Sequence, residues 1–443
     1  MNQGSKYLLL TTVLVCIAVI APINPSCAQT TQWHKFMQAG ELAYKQGQYA
    51  EAEKSFSAAL QEVEKFGPHD TRLATSLNNL ASLYQAQGRY AQAEPLYKRS
   101  LQINEESLGP NHPAVALALN NLAELYRAQG KYAQAEPLYK RSLQIREKAL
   151  GSNDPDIAQS LNNLALLYYS QGKYAEAEPL YKHSLQIKEK ALGPNHPDVA
   201  TSLNNLALLY YSQGKYGEAE PLYKHSLQIR EKAVGPNHPE VAASLDNLAA
   251  LYKEQRKYAE AESLYRRVLQ IDEKALGPNQ PDVATSLDNL AGLYRAQGKY
   301  AEAEPLYKRS LQIREKVLGP NHPNVATSLN DLGELYDAEG KHAEAEPLYK
   351  RSLEIMEKAL GPNHPDVATS LNNLAELYRE QGKYEEAEPL YKRSLQIMEK
   401  ALGPHHPDVA TSLENYAELL RKTNRKAEAD KLDARAKAIR EQH

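Results

Sequence analysis

The chain has 443 residues, a net charge of −3 and a pI near 6.5, and its charged residues, 24% of the total, are interspersed in sign. That balance excludes the strongly basic face that nucleic acid requires. The length suits either several ordinary domains or one long repeat array. Both cysteines, Cys16 and Cys27, lie near the N-terminus, so disulfides, thiolate metal sites and cysteine nucleophiles are excluded from everything beyond residue 28.

The first segment to stand out runs from Leu8 to Ala21. It is apolar apart from Thr11 and Thr12, follows Lys6 and is closed by Pro22. A membrane span needs roughly 20 residues, so this one is short. Ser26-Cys27-Ala28 fits the small-x-small pattern of a signal-peptidase site. Residues 1–28 are therefore read as a signal peptide, with Gln29 as the new N-terminus. The expected location is exported, periplasmic or extracellular, of bacterial type, with no membrane span after cleavage. A lipid anchor on Cys27 is the alternative, although Asn24-Pro25-Ser26 lacks the leucine usual at such sites.

Beyond this segment the chain repeats itself. Gly67, Gly109, Gly151, Gly193, Gly235, Gly277, Gly319, Gly361 and Gly403 are spaced by 42 residues, each within some edit of LGPNHPDVATSLNNLA. Eight full repeats span 67–402, numbered one to eight here. A short repeat, 33–66, precedes them, and a degenerate one, 403–443, follows as repeat nine.

Repeat four shows the local logic. Leu203, Leu206, Ala207 and Tyr210 are spaced i, i+3, i+4, i+7, which predicts one apolar helical face. Gly214 stops that helix, and Tyr216, Ala219, Leu222, Tyr223 and Leu227 predict a second. Gly235-Pro236 ends it, and His238-Pro239-Glu240 opens the next helix, with proline in the first turn. Pro221 and its equivalents sit about five residues into the second helix and read as a local bend. Each repeat is thus two antiparallel helices that cannot bury their apolar faces alone, so repeats must stack. In repeat nine the last helix is dense in charge and has Lys426 and Lys431 where Tyr and Pro usually stand, which suits a solenoid end.

The pattern LGPxHPxVAxxLNNLAxLY followed by GKYxEAEPLYKRSLQI resembles the tetratricopeptide repeat in its 42-residue form, as in the cargo-binding repeats of kinesin light chain and their bacterial relatives. The resemblance covers about 33–440. It implies an all-α, right-handed superhelical solenoid of tandem antiparallel helix pairs, with the first helices lining a concave groove. It does not imply motor attachment, because a signal segment stands where kinesin light chain has its heptad region.

Side chains were sorted against this frame. Three columns hold most of the 29 tyrosines, aligned with Tyr210, Tyr216 and Tyr223, and read as core. The recurring His112, His196, His238, His322, His364 and His406 read as turn and cap residues, since successive ones lie a whole helix pair apart. His183-Ser184 and His225-Ser226 are adjacent on a helix and do not face each other. No catalytic residue, metal site or cofactor is expected.

Asparagine is a poor helix former, yet pairs such as Asn204-Asn205 recur. With the apolar face set at Leu203, both point off the core. The second column, Asn79, Asn121, Asn163, Asn205, Asn247, Asn289 and Asn373, could hold an extended peptide backbone, or else fix the stacking of repeats. Further along the same face, Leu166, Tyr169, Leu208 and Tyr211 form an apolar group in repeats three and four, while Arg127, Arg295 and Arg379 mark charged repeats. The expected function is an exported non-enzymatic scaffold or adaptor binding a peptide or protein segment in its groove. A structural envelope protein that self-associates or bridges components through its ends or convex face is the alternative.

Overall fold

The computed structural model describes residues 30–45, 48–151 and 153–441. The expected signal segment, its cleavage site and Cys27 lie outside the described residues. Among the described residues there are twenty α-helices and no strand. They fall into two compact units, residues 30–164 and 165–441, the division passing through the first helix of repeat three, Pro155–Ser170. Within each unit helix pairs pack consecutively along the chain.

The helix boundaries follow from cap chemistry. In repeat four the first helix is Pro197–Ser212. His196 Nδ1 accepts from the backbone N–H of Asp198 at 3.2 Å, which satisfies one orphan donor of the first turn. His112, His238, His322, His364 and His406 cap their helices the same way. Asp70 and Asp154 do so in repeats one and three, with Asp154 Oδ1 accepting from Asp156 at 2.8 Å. Aspartate and histidine are interchangeable here because the site asks only for an acceptor, so the histidine column is a row of caps.

The first helix ends where Gly214 takes φ +72° and Lys215 N–H donates back to Tyr210 O at 2.8 Å. Repeat five has Arg256 at this position, held at φ +58°. The second helix, Tyr216–Val234, runs uninterrupted through Pro221. Its counterpart in repeat five, Tyr258–Leu276, has Ser263 in place of the proline and the same 19-residue length. The proline therefore does not set the extent of the element.

The two helices of a repeat are buried to different degrees. In Pro197–Ser212, 11 of 16 residues are buried, against 4 of 19 in Tyr216–Val234. The first helix packs against its own partner and against neighbouring repeats. This corrects the helical-wheel placement of the asparagines: Asn204 and Asn205 are only 3% and 7% exposed. A wheel finds the face toward one partner; a first helix with neighbours on several sides has little bare face left.

The tyrosine columns also separate. The Tyr223 column is fully buried, including Tyr97, Tyr139, Tyr307, Tyr349 and Tyr391. The Tyr216 column is half-buried, and the Tyr210 column mixes half-buried members with the buried Tyr126, Tyr294 and Tyr378. Tyr210 instead donates its hydroxyl to Glu178 of the preceding repeat at 3.0 Å, and Tyr252, Tyr294, Tyr336 and Tyr378 repeat that bond with Glu220, Glu262, Glu304 and Glu346. Ser226 is buried and donates to Ala200 O at 2.8 Å, tying the two helices of its own repeat. That engagement accounts for Ser226 beside His225.

One contact joins distant repeats. Gly172, at φ +69°, sits where an added Cβ would lie 2.8 Å from Pro407 Cδ and 3.0 Å from His406 Cδ2. The turn of repeat three thus covers the first turn of a helix in repeat nine.

Arg256 supplies a direct test of the turn. A non-glycine residue in the left-handed region costs about 1–2 kcal/mol. Arg256→Gly is expected to stabilise the protein by about 1 kcal/mol, read as a higher thermal midpoint and less protease nicking at residues 254–258. A midpoint at or below that of the parent would mean that Arg256 makes a compensating interaction.

Candidate functional site

The asparagine column is occupied by bonds between repeats. Asn121 Nδ2 donates to Asn78 Oδ1 at 2.7 Å, Asn163 to Asn120 at 2.7 Å and Asn247 to Asn204 at 2.8 Å. Each bond links the second asparagine of one repeat to the first asparagine of the repeat before, 43 positions back. An amide can do this because it donates and accepts at once. Asn163 also accepts from Gln159 at 2.8 Å, and Asn373 donates to Glu334 at 3.3 Å. Asn289 bonds Asp246. Asn79 is 2% exposed, and its Nδ2 is buried without a partner.

The variable column changes character along the chain. In repeat two Arg127 Nε donates to Glu124 at 3.0 Å, and Tyr139 donates to the same carboxylate at 2.6 Å. In repeat eight Arg379 pairs with Glu376, which also accepts from Tyr391 at 2.6 Å, and with Glu418 at 3.2 Å. Arg295 reaches Glu334 of the next repeat at 2.5 Å. All three arginines thus belong to partly buried ion pairs, which in repeats two and eight hold the acceptor for a core tyrosine.

Repeats three and four lack this device. Leu166 is half-buried, Leu208 is 2% exposed, and Tyr169 and Tyr211 are each 6% exposed. Together with Ala250 they belong to, or pack against, one apolar cluster. The two tyrosines are therefore packed side chains as well as groove candidates, with ring centroids 5.7 Å from Tyr174 and 5.6 Å from Tyr216. Tyr169 Oη lies 2.7 Å from Ser212 Oγ in the next repeat. Tyr223 lies 15 positions after Leu208, the spacing at which Tyr139 meets Glu124. A leucine cannot accept, and Tyr223 Oη is buried without a partner.

A buried carboxylate pair escaped the sequence reading. The first-asparagine column meets the residue 26 positions on, in the second helix of the same repeat. In repeat six this gives Asp288 with Arg314 at 2.7 Å, and in repeat nine Glu414 with Arg440 at 2.6 Å. In repeat five both positions are acidic, Asp246 and Asp272. Ser286 donates to Asp272 at 2.5 Å, while Asp246 Oδ1 is buried without a partner. Burial, with the nearby Asp272 charge, pushes Asp246 up to about 7; burial pushes Asp272 up to about 6. The signal was present in the sequence as an Asp where the column otherwise carries Asn, Arg, Lys or Met.

Matches to the Tetratricopeptide repeat cover residues 34–106, 72–148, 156–232, 204–274, 240–316, 282–358, 338–400 and 366–442. The chain belongs to the tetratricopeptide repeat family. Repeats of this family build protein-interaction scaffolds. No curated protein sequence matches the chain. BtubC (BKLC) from P. vanneervenii is 26% identical over 53% of this chain and 92% of its own, with a TM-score of 0.42. A Podosopora anserina kinesin light chain-like protein with nearly identical TPR-like repeats is 30% identical over 46% of this chain and 97% of its own, with a TM-score of 0.39. The Rap protein complexed with Competence and Sporulation Factor shares the fold over 84% of this chain and 99% of its own, at 15% identity and a TM-score of 0.54. Among the described residues no helix is long and apolar enough to cross a membrane.

Two outcomes follow from these tetratricopeptide interfaces. Tyr139→Phe removes a buried bond to a carboxylate and is expected to cost about 1–2 kcal/mol, whereas Tyr223→Phe removes an unpaired hydroxyl and is expected to be neutral or stabilising. Paired denaturant titrations decide this; equal losses would show that Tyr223 has an acceptor.

The second outcome concerns pH. Asp246 and Asp272 hold protons more tightly folded than unfolded, where the carboxyl pKa is about 3.9. The native state therefore binds more protons, and stability falls as pH rises from about 4 through 7. Asp246→Asn restores the usual asparagine and should gain on the order of 1–2 kcal/mol at pH 8 and little at pH 4.5. Thermal melts across that range check it; a gain independent of pH would remove the carboxylate explanation.

Proposed function

We propose that this protein is an exported, non-enzymatic tetratricopeptide scaffold that holds an extended peptide or protein segment along the first helices. The observation that carries this reading is the apolar stretch Leu166, Tyr169, Leu208 and Tyr211, set in a column that carries Glu–Arg pairs in repeats two and eight. Near-identical repeats make such a change of character a local preference for an apolar ligand segment. The half-buried Leu166 would be its main contact, with the tyrosine edges beside it, since aromatic and apolar anchors dominate binding hot spots. Asn205, beside the stretch, is only 7% exposed, and Asn163 is engaged by Asn120 and Gln159, so the asparagines serve the stacking of repeats in this reading. Export with cleavage after Ala28 belongs to the same reading.

The test is capture of the partner from extracts of the native organism, followed by titration. Leu166→Glu should weaken the captured partner at least tenfold, or about 1.4 kcal/mol, with only a small fall in thermal midpoint because Leu166 is half-buried. Tyr169→Ala with Tyr211→Ala should weaken binding as much but lower the midpoint further, because both rings are packed. Unchanged affinity in both variants would place the binding surface elsewhere. Intact mass of the native protein should begin at Gln29; a chain beginning at Met1 or carrying lipid on Cys27 would overturn the export reading.

A further inference from the structure

The interface between repeats seven and eight differs from the others at three positions that meet in space. His342 stands where repeats one to six and eight have tyrosine. Asp337 stands in the column that otherwise reads Gln85, Arg127, Tyr169, Tyr211, Lys253, Arg295, Arg379 and Arg421. Glu380 stands where most repeats have alanine or serine. Donor atoms of Asp337, His342 and Glu380 all lie within 4.8 Å of one another, and His342 Nδ1 is 2.8 Å from Asp337 Oδ1.

The convergence follows from the solenoid itself. Residues 43 apart meet across an interface, as Tyr169 meets Ser212 at 2.7 Å and Asn247 meets Asn204 at 2.8 Å. Asp337 and Glu380 have that spacing. Residues five apart meet around the turn, as Tyr169 meets Tyr174 and Tyr211 meets Tyr216. Asp337 and His342 have that spacing. The same triangle of positions thus holds two tyrosines and a serine in repeats three and four, and an imidazole with two carboxylates in repeats seven and eight.

Two carboxylates brought together repel unless a proton or a cation lies between them. The cations nearby are already engaged: Arg379 pairs with Glu376 and Glu418, and Lys341 with Glu339 at 3.1 Å. Glu376 adds a further negative charge. Negative charge thus exceeds what local cations offset.

We propose that Asp337, His342 and Glu380 form a binding site for a zinc-class divalent metal ion, bridging repeats seven and eight. One imidazole nitrogen with two carboxylate oxygens suits Zn²⁺ better than Ca²⁺ or Mg²⁺, which take all-oxygen shells. Metal–ligand bonds of about 2.0–2.2 Å require donors within roughly 4.4 Å of one another. Rotation of the exposed Glu380 side chain closes the remaining gap without moving the backbone. Water completes the coordination, and the ion replaces the direct Asp337–His342 bond. This site departs from the expectation that the chain holds no metal.

The test uses the full chain, stripped with chelator and titrated calorimetrically with ZnCl₂ at pH 7.5. His342→Tyr and Glu380→Ala each install a residue that other repeats carry at that place, so the fold tolerates them. Wild type should show one saturable site of micromolar affinity and a higher thermal midpoint with zinc. Each variant should bind at least tenfold more weakly, with no zinc-dependent rise in midpoint. Absence of saturable binding by wild type, or equal binding by wild type and both variants, overturns the proposal and leaves Asp337–His342 as an ordinary ion pair.

Discussion

The structure depends on one constraint: a pair of helices of this composition cannot bury its own apolar surface. The first helix of each repeat satisfies it by packing against more than one neighbour, and the second helix covers one side only. Everything specific to the chain is built on that inequality. Polar residues on the first helix must find partners inside the stack, because little of its surface reaches water. Polar residues on the second helix, such as Lys182 with Glu178, form exposed pairs four apart that contribute only a few tenths of a kcal/mol each.

The recurrent asparagines are explained by the same constraint. A buried polar group without a partner costs about 1–3 kcal/mol, more than the helix propensity an asparagine gives up. Two amides per first helix, donating backward and accepting forward, pair across the interface, as Asn121 does with Asn78, Asn163 with Asn120 and Asn247 with Asn204. Where the first position departs from an amide, a charge pair with the second helix of the same repeat can satisfy it: Asp288 with Arg314, Glu414 with Arg440. At Asp246 the residue 26 positions on is Asp272, so Asn289 of the next repeat bonds one oxygen while the other is buried without a partner.

Helix count, helix boundaries and the stacking of pairs were legible because period, glycine and proline-preceded cap recur every 42 residues. The histidine caps were legible too, since Asp70 and Asp154 occupy equivalent places. What the sequence could not show was burial on the far side of the first helices. A single-helix wheel at Leu203 leaves Asn205 facing away, and only the neighbouring repeat reveals that it is covered. The packing of Tyr169 and Tyr211, which stand outside the three tyrosine columns, is hidden from the wheel for the same reason. The Asp337, His342 and Glu380 group was invisible for a different one: its members belong to two repeats, and the 43-residue offset that joins them is a property of the stacked structure.

The contact of Gly172 with His406 and Pro407 alters how such an array behaves as a material. A solenoid bound only by nearest neighbours frays from its ends and stretches like a soft spring. A tie between residues 234 positions apart closes a large loop, so releasing one end requires breaking a contact far along the chain. Folding gains a late, high-contact-order step that a simple linear array does not have.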